Sequence, residues 1–272
     1  MENEKIMVFI PMYNCENQIN RVLSKFSLSL QKRFAEIVVV DNRSADRSRE
    51  VASEVLSKLT YVKTTLLQNC ENYSLGGSHK VAFNYALDSG YDFCIVLHGD
   101  DQGNIEDLVP YLDSGIHRQF DSLLGSRFAH GSKLVGYSAF RTYGNILFNL
   151  GISLFTGRWI TDMGSGLNVY KTDYLRDRFY LYFPNDLTFN VFMLYYGIYA
   201  KSSFKFFPLT WREEDQVSNA KIFRQAAIIA GLTGRYLIDR KRLFAKTENE
   251  FSRINYASEV LYRKEPVENG EQ

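Results

Sequence analysis

Cysteine is scarce: three residues in 272, Cys15, Cys70 and Cys94. They are odd in number, far apart and never in CxxC spacing, which argues against a disulfide framework or a zinc site and for a reducing compartment. All three read as small buried hydrophobes. Net charge is also small, +1 at pH 7. A chain so close to neutral offers no strongly basic face for a phosphate backbone, so no nucleic-acid partner is expected. No window approaches the ~20 apolar residues that a membrane span requires, and "MENEKIMVFIP" has too short an apolar stretch for a signal peptide. The expected location is cytoplasmic, free or peripheral on the cytosolic face of a membrane. Internal repeats and low-complexity segments are missing. So is GxGxxG after the first strand, which argues against a dinucleotide-dependent dehydrogenase.

Aromatics, by contrast, make up 15% of residues. They concentrate from 137 to 211, where they read first as core and second as an aromatic groove or a membrane-facing surface. Apolar β-branched runs ("KIMVFI", "EIVVV", "TYVKTTLL", "DFCIVL", "DSLLG") alternate with helical periodicity over 15–29, 45–59, 77–89 and 105–115. That alternation predicts an α/β fold, a mainly parallel Rossmann-like sheet flanked by helices. Beyond 130 the pattern predicts helices over 139–156, 186–200 and 216–245 and a strand at "FKFFPL". The expected organisation is a catalytic domain over 1–215, an amphipathic helix over 216–247 that packs on it or on a membrane, and a polar flexible tail over 248–272.

Parallel strands place ligands at their carboxyl ends, so the chemistry is sought in the segments that follow them. "VLHGDDQGN" delivers two adjacent carboxylates there, an unfavourable pairing unless something offsets it. A divalent cation between protein and a diphosphate would do so, since magnesium is held by one or two carboxylates while substrate phosphates complete its shell. In an extended segment Asp100 and Gln102 would share one side with Asp101 opposite. Acidic N-caps for a helix starting near Ile105 are the plainer account. Asp41, ending "EIVVVD", could accept hydrogen bonds from a base or ribose, or simply cap a loop. "LGGSHK" offers backbone amides at a glycine turn and a cation, Lys80, where phosphates would lie; Lys80 as a solvated helix residue is the alternative.

Taken together, "VFIPMYNCENQI", "IVVVDNRSADRS", "LGGSHKVAFNYAL", "VLHGDDQG", "GSRF" and "TDMGSGLNVYK" resemble family 2 glycosyltransferases of the GT-A fold, in particular dolichyl-phosphate mannose synthases and polyprenyl-phosphate glucosyltransferases. The resemblance runs from about residue 6 to 220. It implies that Pro11, Tyr13, Asn14 and Glu16 surround a nucleotide whose base Asp41 contacts. Asp100 and Gln102 correspond to the metal motif DxDxQ, served by Mg2+ or Mn2+. Arg127 and Arg141 correspond to cations near an acceptor phosphate, and Asp162 and Ser165 lie in the DxxSG loop. Arg212 matches a basic residue after the last strand, and Ser218 a serine beyond it. Two positions depart from the pattern: His98 replaces the first Asp of the metal motif and Asn42 the second Asp of DDGS. His98 could ligate a metal, directly or through water, or pack at the strand end with no ligand role.

The implied activity is that of an inverting glycosyltransferase moving a hexose from a UDP- or GDP-sugar to polyprenyl phosphate, with Asp162, Arg127 and Arg141 as candidate catalytic residues. A lipid phosphate has its second pKa near about 6 and needs no strong base. A glycan or protein hydroxyl, as in cell-surface polysaccharide synthesis, would need one, and Asp162, Glu213, Glu214 and Asp215 are the candidates. An inactive nucleotide-sugar-binding protein is the remaining alternative. The helix from 216 carries Ile222, Phe223, Ala226, Ala227, Ile229, Ala230 and Leu232 before "RKRLFAK", and could pack on the domain or lie on an anionic membrane.

Overall fold

The computed structural model describes residues 4–213 and 220–267, and of 220–225 the backbone alone. Its first half follows the apolar periodicity: β1 (Ile6–Met12), α1 (Glu16–Ser24), the short α2 (Leu28–Gln31), β2 (Glu36–Asp41), α3 (Ser48–Lys58), β3 (Lys63–Asn69), α4 (Ser74–Asp88) and β4 (Phe93–Leu97). The second half holds α5 (Val109–Asp113), β5 (Ser122–Ser126), β6 (Lys133–Val135), α6 (Ala139–Thr156), β7 (Leu167–Lys171), α7 (Thr172–Leu175), α8 (Phe189–Tyr199), β8 (Phe204–Pro208), β9 (Thr210–Arg212), α9 (Ala220–Leu243) and β10 (Ser258–Lys264). One sheet runs β10-β3-β2-β1-β4-β7-β5-β8, and β6 pairs with β9 beside it. Strands β3, β2, β1 and β4 are parallel, as are β5 and β8, while β7 runs antiparallel between β4 and β5.

Successive strand side chains point to opposite faces, and this splits the core into two layers. Val8, Ile10, Ile37, Val39 and Ile95 pack with Ile19 and Val22 of α1 and Ala52 of α3. Met7, Phe9, Val38, Val40 and Val96 pack against α4 and a mass of aromatics that includes Phe83, Phe179, Tyr180, Phe183, Phe189 and Tyr195. Much of the aromatic content is therefore core. Helix α9 joins that layer through Leu232, Tyr236 and, just past its end, Phe244. The Tyr195 and Tyr236 rings lie 4.9 Å apart, and the Tyr195 hydroxyl meets Thr233 Oγ1 at 2.6 Å.

Three expectations need correction. The stretch from 248 is not simply a polar tail: Ser258–Lys264 adds an antiparallel edge strand to β3, from Ser258↔Asn69 to Lys264↔Thr64. Its residues are exposed or half-buried, with Tyr262 packed against the core, so little apolar patterning marks the strand and it resembled a tail. Residues 268–272 lie outside the described residues. Cys70 is exposed, whereas Cys15 and Cys94 are buried.

The third correction concerns "LGGSHK", which is not a phosphate turn. Both glycines lie inside the first turns of α4, where the Gly76 N–H donates to the Asn185 carbonyl (2.6 Å) and a Cβ would lie 2.7 Å from Phe189 Cβ. Lys80 is fully buried. Its nitrogen, whose pKa burial pulls down to about 7, lies within hydrogen-bonding reach of four acceptors, Asn185 Oδ1 (2.8 Å), the Tyr256 hydroxyl (2.9 Å) and the carbonyls of Phe183 (2.5 Å) and Leu181 (3.3 Å), and 4.8 Å from the Tyr256 ring centroid. It thus straps α4 to the 181–185 segment and to the chain entering β10. A buried charge stripped of such acceptors, or acceptors stripped of the charge, is strongly destabilising. Lys80→Met should cost about 3 kcal/mol, a fall in Tm of about 6–12 °C for a domain of this size. Calorimetry checks it, and an unchanged Tm would show that the strap contributes nothing.

Candidate active site

Strand β4 ends where it touches two other segments. The His98 N–H donates to the Gly166 carbonyl (2.8 Å) and the Gly99 N–H to the Pro11 carbonyl (3.2 Å). A Cβ on Gly99 would lie 2.8 Å from Pro11 O, and one on Gly166 2.9 Å from His98 Cγ. Glycine at both positions lets the β4 end approach β1 on one side and seat an imidazole on the other.

Asp101 then turns the chain with a left-handed backbone, φ 62°. The turn, rather than an extended segment, is what separates the acids. Asp101 faces α1, accepting from Arg21 Nε (2.7 Å) and Lys25 Nζ (2.5 Å). Asp100 and Gln102 face a cavity of about 650 Å³ with His98, Gly99, Pro11, Met12, Tyr13 and Cys15. Its other walls come from Asn42, from Asn72, Ser74, Leu75 and Ser78, from Arg127 and Trp211, from Gly164 to Gly166, and from Asp186 and Leu187. Such a volume suits a small-molecule ligand. The Gln102 carbonyl accepts from Arg212 N (3.0 Å), which ties this turn to β9.

Asp100 accepts from the Gln102 N–H (3.2 Å), and its other oxygen lies 4.0 Å from His98 Nδ1, too far for a hydrogen bond. Burial pushes the Asp100 carboxyl up to about 6, with the Gln102 amide pulling against it and Asp101 adding to it. Burial likewise pulls His98 down to about 4, so the imidazole is neutral near pH 7. Behind it His79 lies edge-on, ring centroids 5.9 Å apart, with burial holding it down at about 3. Among the described residues no group of three or more His, Cys, Asp and Glu could by itself hold a metal. The Asp100 carboxylate, His98 imidazole and Gln102 side-chain oxygen make a partial donor set of the kind that a divalent cation completes with substrate phosphates.

Asp162, paired to the wall residue Arg127, is buried and committed. It accepts from the backbone N–H of Arg127 (2.9 Å), from Arg127 Nε (2.8 Å) and Nη2 (2.7 Å), and from Gly164 N. Burial disfavours the guanidinium charge, yet Asp162 raises the Arg127 pKa above the ordinary range. Arg127 also stacks with Trp211, 5.2 Å from its ring centroid. Ser165 lines the cavity while its hydroxyl donates to the Leu167 carbonyl (3.3 Å).

The remaining expected residues are placed otherwise. Asp41 is fully buried and does not line the cavity; it accepts from Ser44 N (3.0 Å) and Gln68 Nε2 (3.0 Å). Asn14 Oδ1 accepts from Ala45 N and Glu16 Oε2 from Arg47 N, so both stitch the β1 loop to the β2 loop behind the wall. Arg141 pairs with Glu213 (2.5 Å) and lies 4.4 Å from the Tyr137 ring centroid, away from the cavity lining. Arg212 is exposed on β9. Glu214, Asp215 and Ser218 lie outside the described residues. Residue-type reasoning did not single out Asn72, Ser78, Asp186, Leu187 or Trp211 as wall residues. Asn42, noted only as a departure, accepts from Tyr73 N (2.8 Å) and Asn69 Nδ2 (2.9 Å) and donates to Asn72 Oδ1 (2.8 Å), holding two loops of the wall together.

A family model, Glycosyl transferase family 2, matches residues 7–179. The chain belongs to that family. The undecaprenyl-phosphate mannosyltransferase of Micrococcus luteus is 25% identical over 172 residues, covering 63% of this chain and 68% of that protein. The dolichol-phosphate mannosyltransferase of Pyrococcus furiosus is 33% identical over 137 residues, covering 50% of this chain but only 37% of its own length. Among solved structures, glucosyl-3-phosphoglycerate synthase from Mycobacterium tuberculosis, in complex with Mn2+ and uridine-diphosphate-glucose, superposes with TM-score 0.61 at 13% identity, covering 85% of this chain and 79% of that one. S. aureus TarS (residues 1–349) gives 0.57 at 18%, covering 90% and 73%. The fold is the GT-A fold expected for family 2.

Asp162→Asn keeps the shape but leaves a mostly buried guanidinium without its counter-charge. Urea unfolding should show a loss of about 3 kcal/mol, with Arg127→Met/Asp162→Leu losing less than that single change. Equal losses would mean the pair has no coupling of its own.

Proposed function

We propose that this chain transfers a hexose from a UDP- or GDP-linked donor to polyprenyl phosphate, with inversion at the anomeric carbon. The observation that carries the reading is the cavity itself: a space of ligand size at the strand ends lined by the Asp100 carboxylate, which has no cationic partner, and by the Arg127 guanidinium. The polyprenyl-phosphate acceptors named for the curated relatives support the acceptor class.

In this reading Tyr13, Pro11 and the Asn42 side of the cavity receive the nucleoside, and the diphosphate lies toward His98, Asp100 and Gln102. A divalent cation held by Asp100, His98 and the Gln102 oxygen would supply positive charge against the departing diphosphate. Asp101, neutralised by Arg21 and Lys25, adds no uncompensated negative charge at that point. Arg127, fixed in orientation by Asp162, binds the acceptor phosphate through the guanidinium edge that Asp162 does not occupy. The acceptor oxygen attacks the anomeric carbon from the face opposite the leaving group. One C–O bond forms as the other breaks, and the nucleoside diphosphate departs.

A hydroxyl acceptor fits less well. It needs a general base, and Asp162 is bound to Arg127 and Glu213 to Arg141. Asp186, also on the wall, has one oxygen engaged by the N–H and hydroxyl of Thr188, and its other oxygen is the base that a hydroxyl acceptor would have to use. Asp100→Ala should lower turnover roughly 10²–10³-fold, the scale of losing one preorganised electrostatic contact, with an unchanged far-UV spectrum. The assay is transfer of labelled sugar from UDP- and GDP-hexoses to polyprenyl phosphate, read by extraction into organic solvent. Label that stays in water on a glycan or protein would overturn the acceptor, and full activity in Asp100→Ala the role of the carboxylate.

A further inference from the structure

Two histidines meet at the back of the cavity, and each keeps one ring nitrogen without a partner. His79, in the second turn of α4, is buried. Its Nδ1 lies 2.8 Å from the Leu75 carbonyl. A carbonyl only accepts, so Nδ1 carries the ring proton and Nε2 is a bare lone pair. That lone pair is buried with no hydrogen-bond partner. The rings around it are those of Phe9, Phe83, Phe189 and His98, with centroids 5.2, 5.9, 5.2 and 5.9 Å away. Of these four only His98 can donate a hydrogen bond from nitrogen.

His98 has the complementary deficit. Its Nε2 is also buried and without a partner. Its Nδ1 lies 4.0 Å from an Asp100 oxygen and 3.0 Å from where a Cβ on Gly166 would sit. Both rings are kept neutral near pH 7 by burial, so each holds one proton on nitrogen. A His98 proton on Nδ1 would leave two bare lone pairs buried beside each other, neither with the hydrogen bond that water gave it. A proton on Nε2 sets one donor next to one acceptor. The χ2 torsion of a histidine is broad, so a small rotation of either ring closes the contact.

We infer that His79 is a positioning residue for His98: its Nε2 lone pair accepts from the His98 Nε2–H and so holds the His98 Nδ1 lone pair toward Asp100. Which nitrogen of a histidine is free is set by the hydrogen bond the other one makes. The opposite tautomer would aim an Nδ1–H at Asp100 and place a proton where a cation would otherwise sit. In the tautomer that His79 selects, a lone pair and a carboxylate converge with no proton between them, two acceptors suited to a divalent cation. That consequence, unlike the pairing itself, rests on the proposed role of His98 and Asp100 toward a metal–nucleotide complex. A neutral imidazole where the family pattern has an acid serves as a ligand only with its proton directed elsewhere, and His79 directs it.

The test is long-range 1H–15N NMR of the full metal-free chain, 15N-labelled at its four histidines, His79, His98, His117 and His130. His79 should carry its proton on Nδ1 and His98 on Nε2. His79→Phe, which fills the same aromatic box without an acceptor, should move the His98 proton to Nδ1, wholly or in part. His79→Gln, whose Oε1 takes the place of the lone pair, should leave it on Nε2. A parent with His98 protonated at Nδ1, or a His79→Phe variant whose His98 stays wholly on Nε2, overturns the inference, and the parent spectrum decides even where a variant fails to fold. Mn2+ titration with UDP or GDP present, followed by the EPR signal of the free ion, reads the consequence. His79→Phe should bind Mn2+ about 10–100-fold more weakly and His79→Gln like the parent. Unchanged affinity in His79→Phe overturns the positioning role. A parent with the expected tautomers that takes up no Mn2+ would sustain the histidine pair and overturn instead the cation site of the proposed transfer.

Discussion

Two carboxylates in sequence at the end of a buried strand set the terms for the rest of the site. Side by side they repel, and burial makes each costlier. The chain separates them by one left-handed residue: Asp101 turns back to the two cations of α1, and Asp100 turns forward into the cavity. Other features of the strand ends serve that turn. Glycines at 99 and 166 let it approach Pro11 and seat His98, and Arg212 N on β9 holds the Gln102 carbonyl. Because the cationic partners of Asp101 come from α1 and the ties to Pro11 from β1, the geometry of Asp100 depends on the first βα unit, far away in sequence.

The opposite wall follows the same logic with the signs exchanged. Arg127 is a cation taken largely out of water, and Asp162 makes that tolerable while fixing the plane of the guanidinium. An acid so engaged orients a cation; it does not abstract protons. Lys80 shows a third solution, a buried ammonium whose acceptors are carbonyls, an amide and a phenol, none of them ionised.

How far this was legible from sequence differs by element. Strands β1, β2 and β4 and helices α3 and α4 announce themselves by period, because each buries one face or both against a large core. The His98–Gln102 segment and Arg127 are legible as chemistry, since adjacent acids at a strand end and an Arg after another strand call for partners. Side-chain direction is not legible. Asp41, Asn14 and Glu16 occupy the right loops but point into backbone amides, and α4 turns Lys80 inward because its glycines let it sit against the Asn185 segment. Such choices are made by neighbours brought together only in the folded chain, and no local pattern encodes them. The same applies to β10, whose partner strand lies nearly two hundred residues earlier.

Charge near the cavity is therefore distributed in a telling way. Asp101, Asp162 and Glu213 each meet a cation, and Asp41 meets neutral donors with Arg49 4.0 Å away. Asp100 and Asp186 both line the cavity with no cationic side chain in contact, one Asp186 oxygen being held by the N–H and hydroxyl of Thr188. Coulomb energy in a partly dry site weighs several times what it does in water, so unpaired negative charge there disfavours an approaching diphosphate unless a cation arrives with it. A metal–nucleotide complex answers that condition where a bare anion does not. In the proposed transfer Arg127, its plane fixed by Asp162, would meet an acceptor that carries its own negative charge better than it would a neutral hydroxyl.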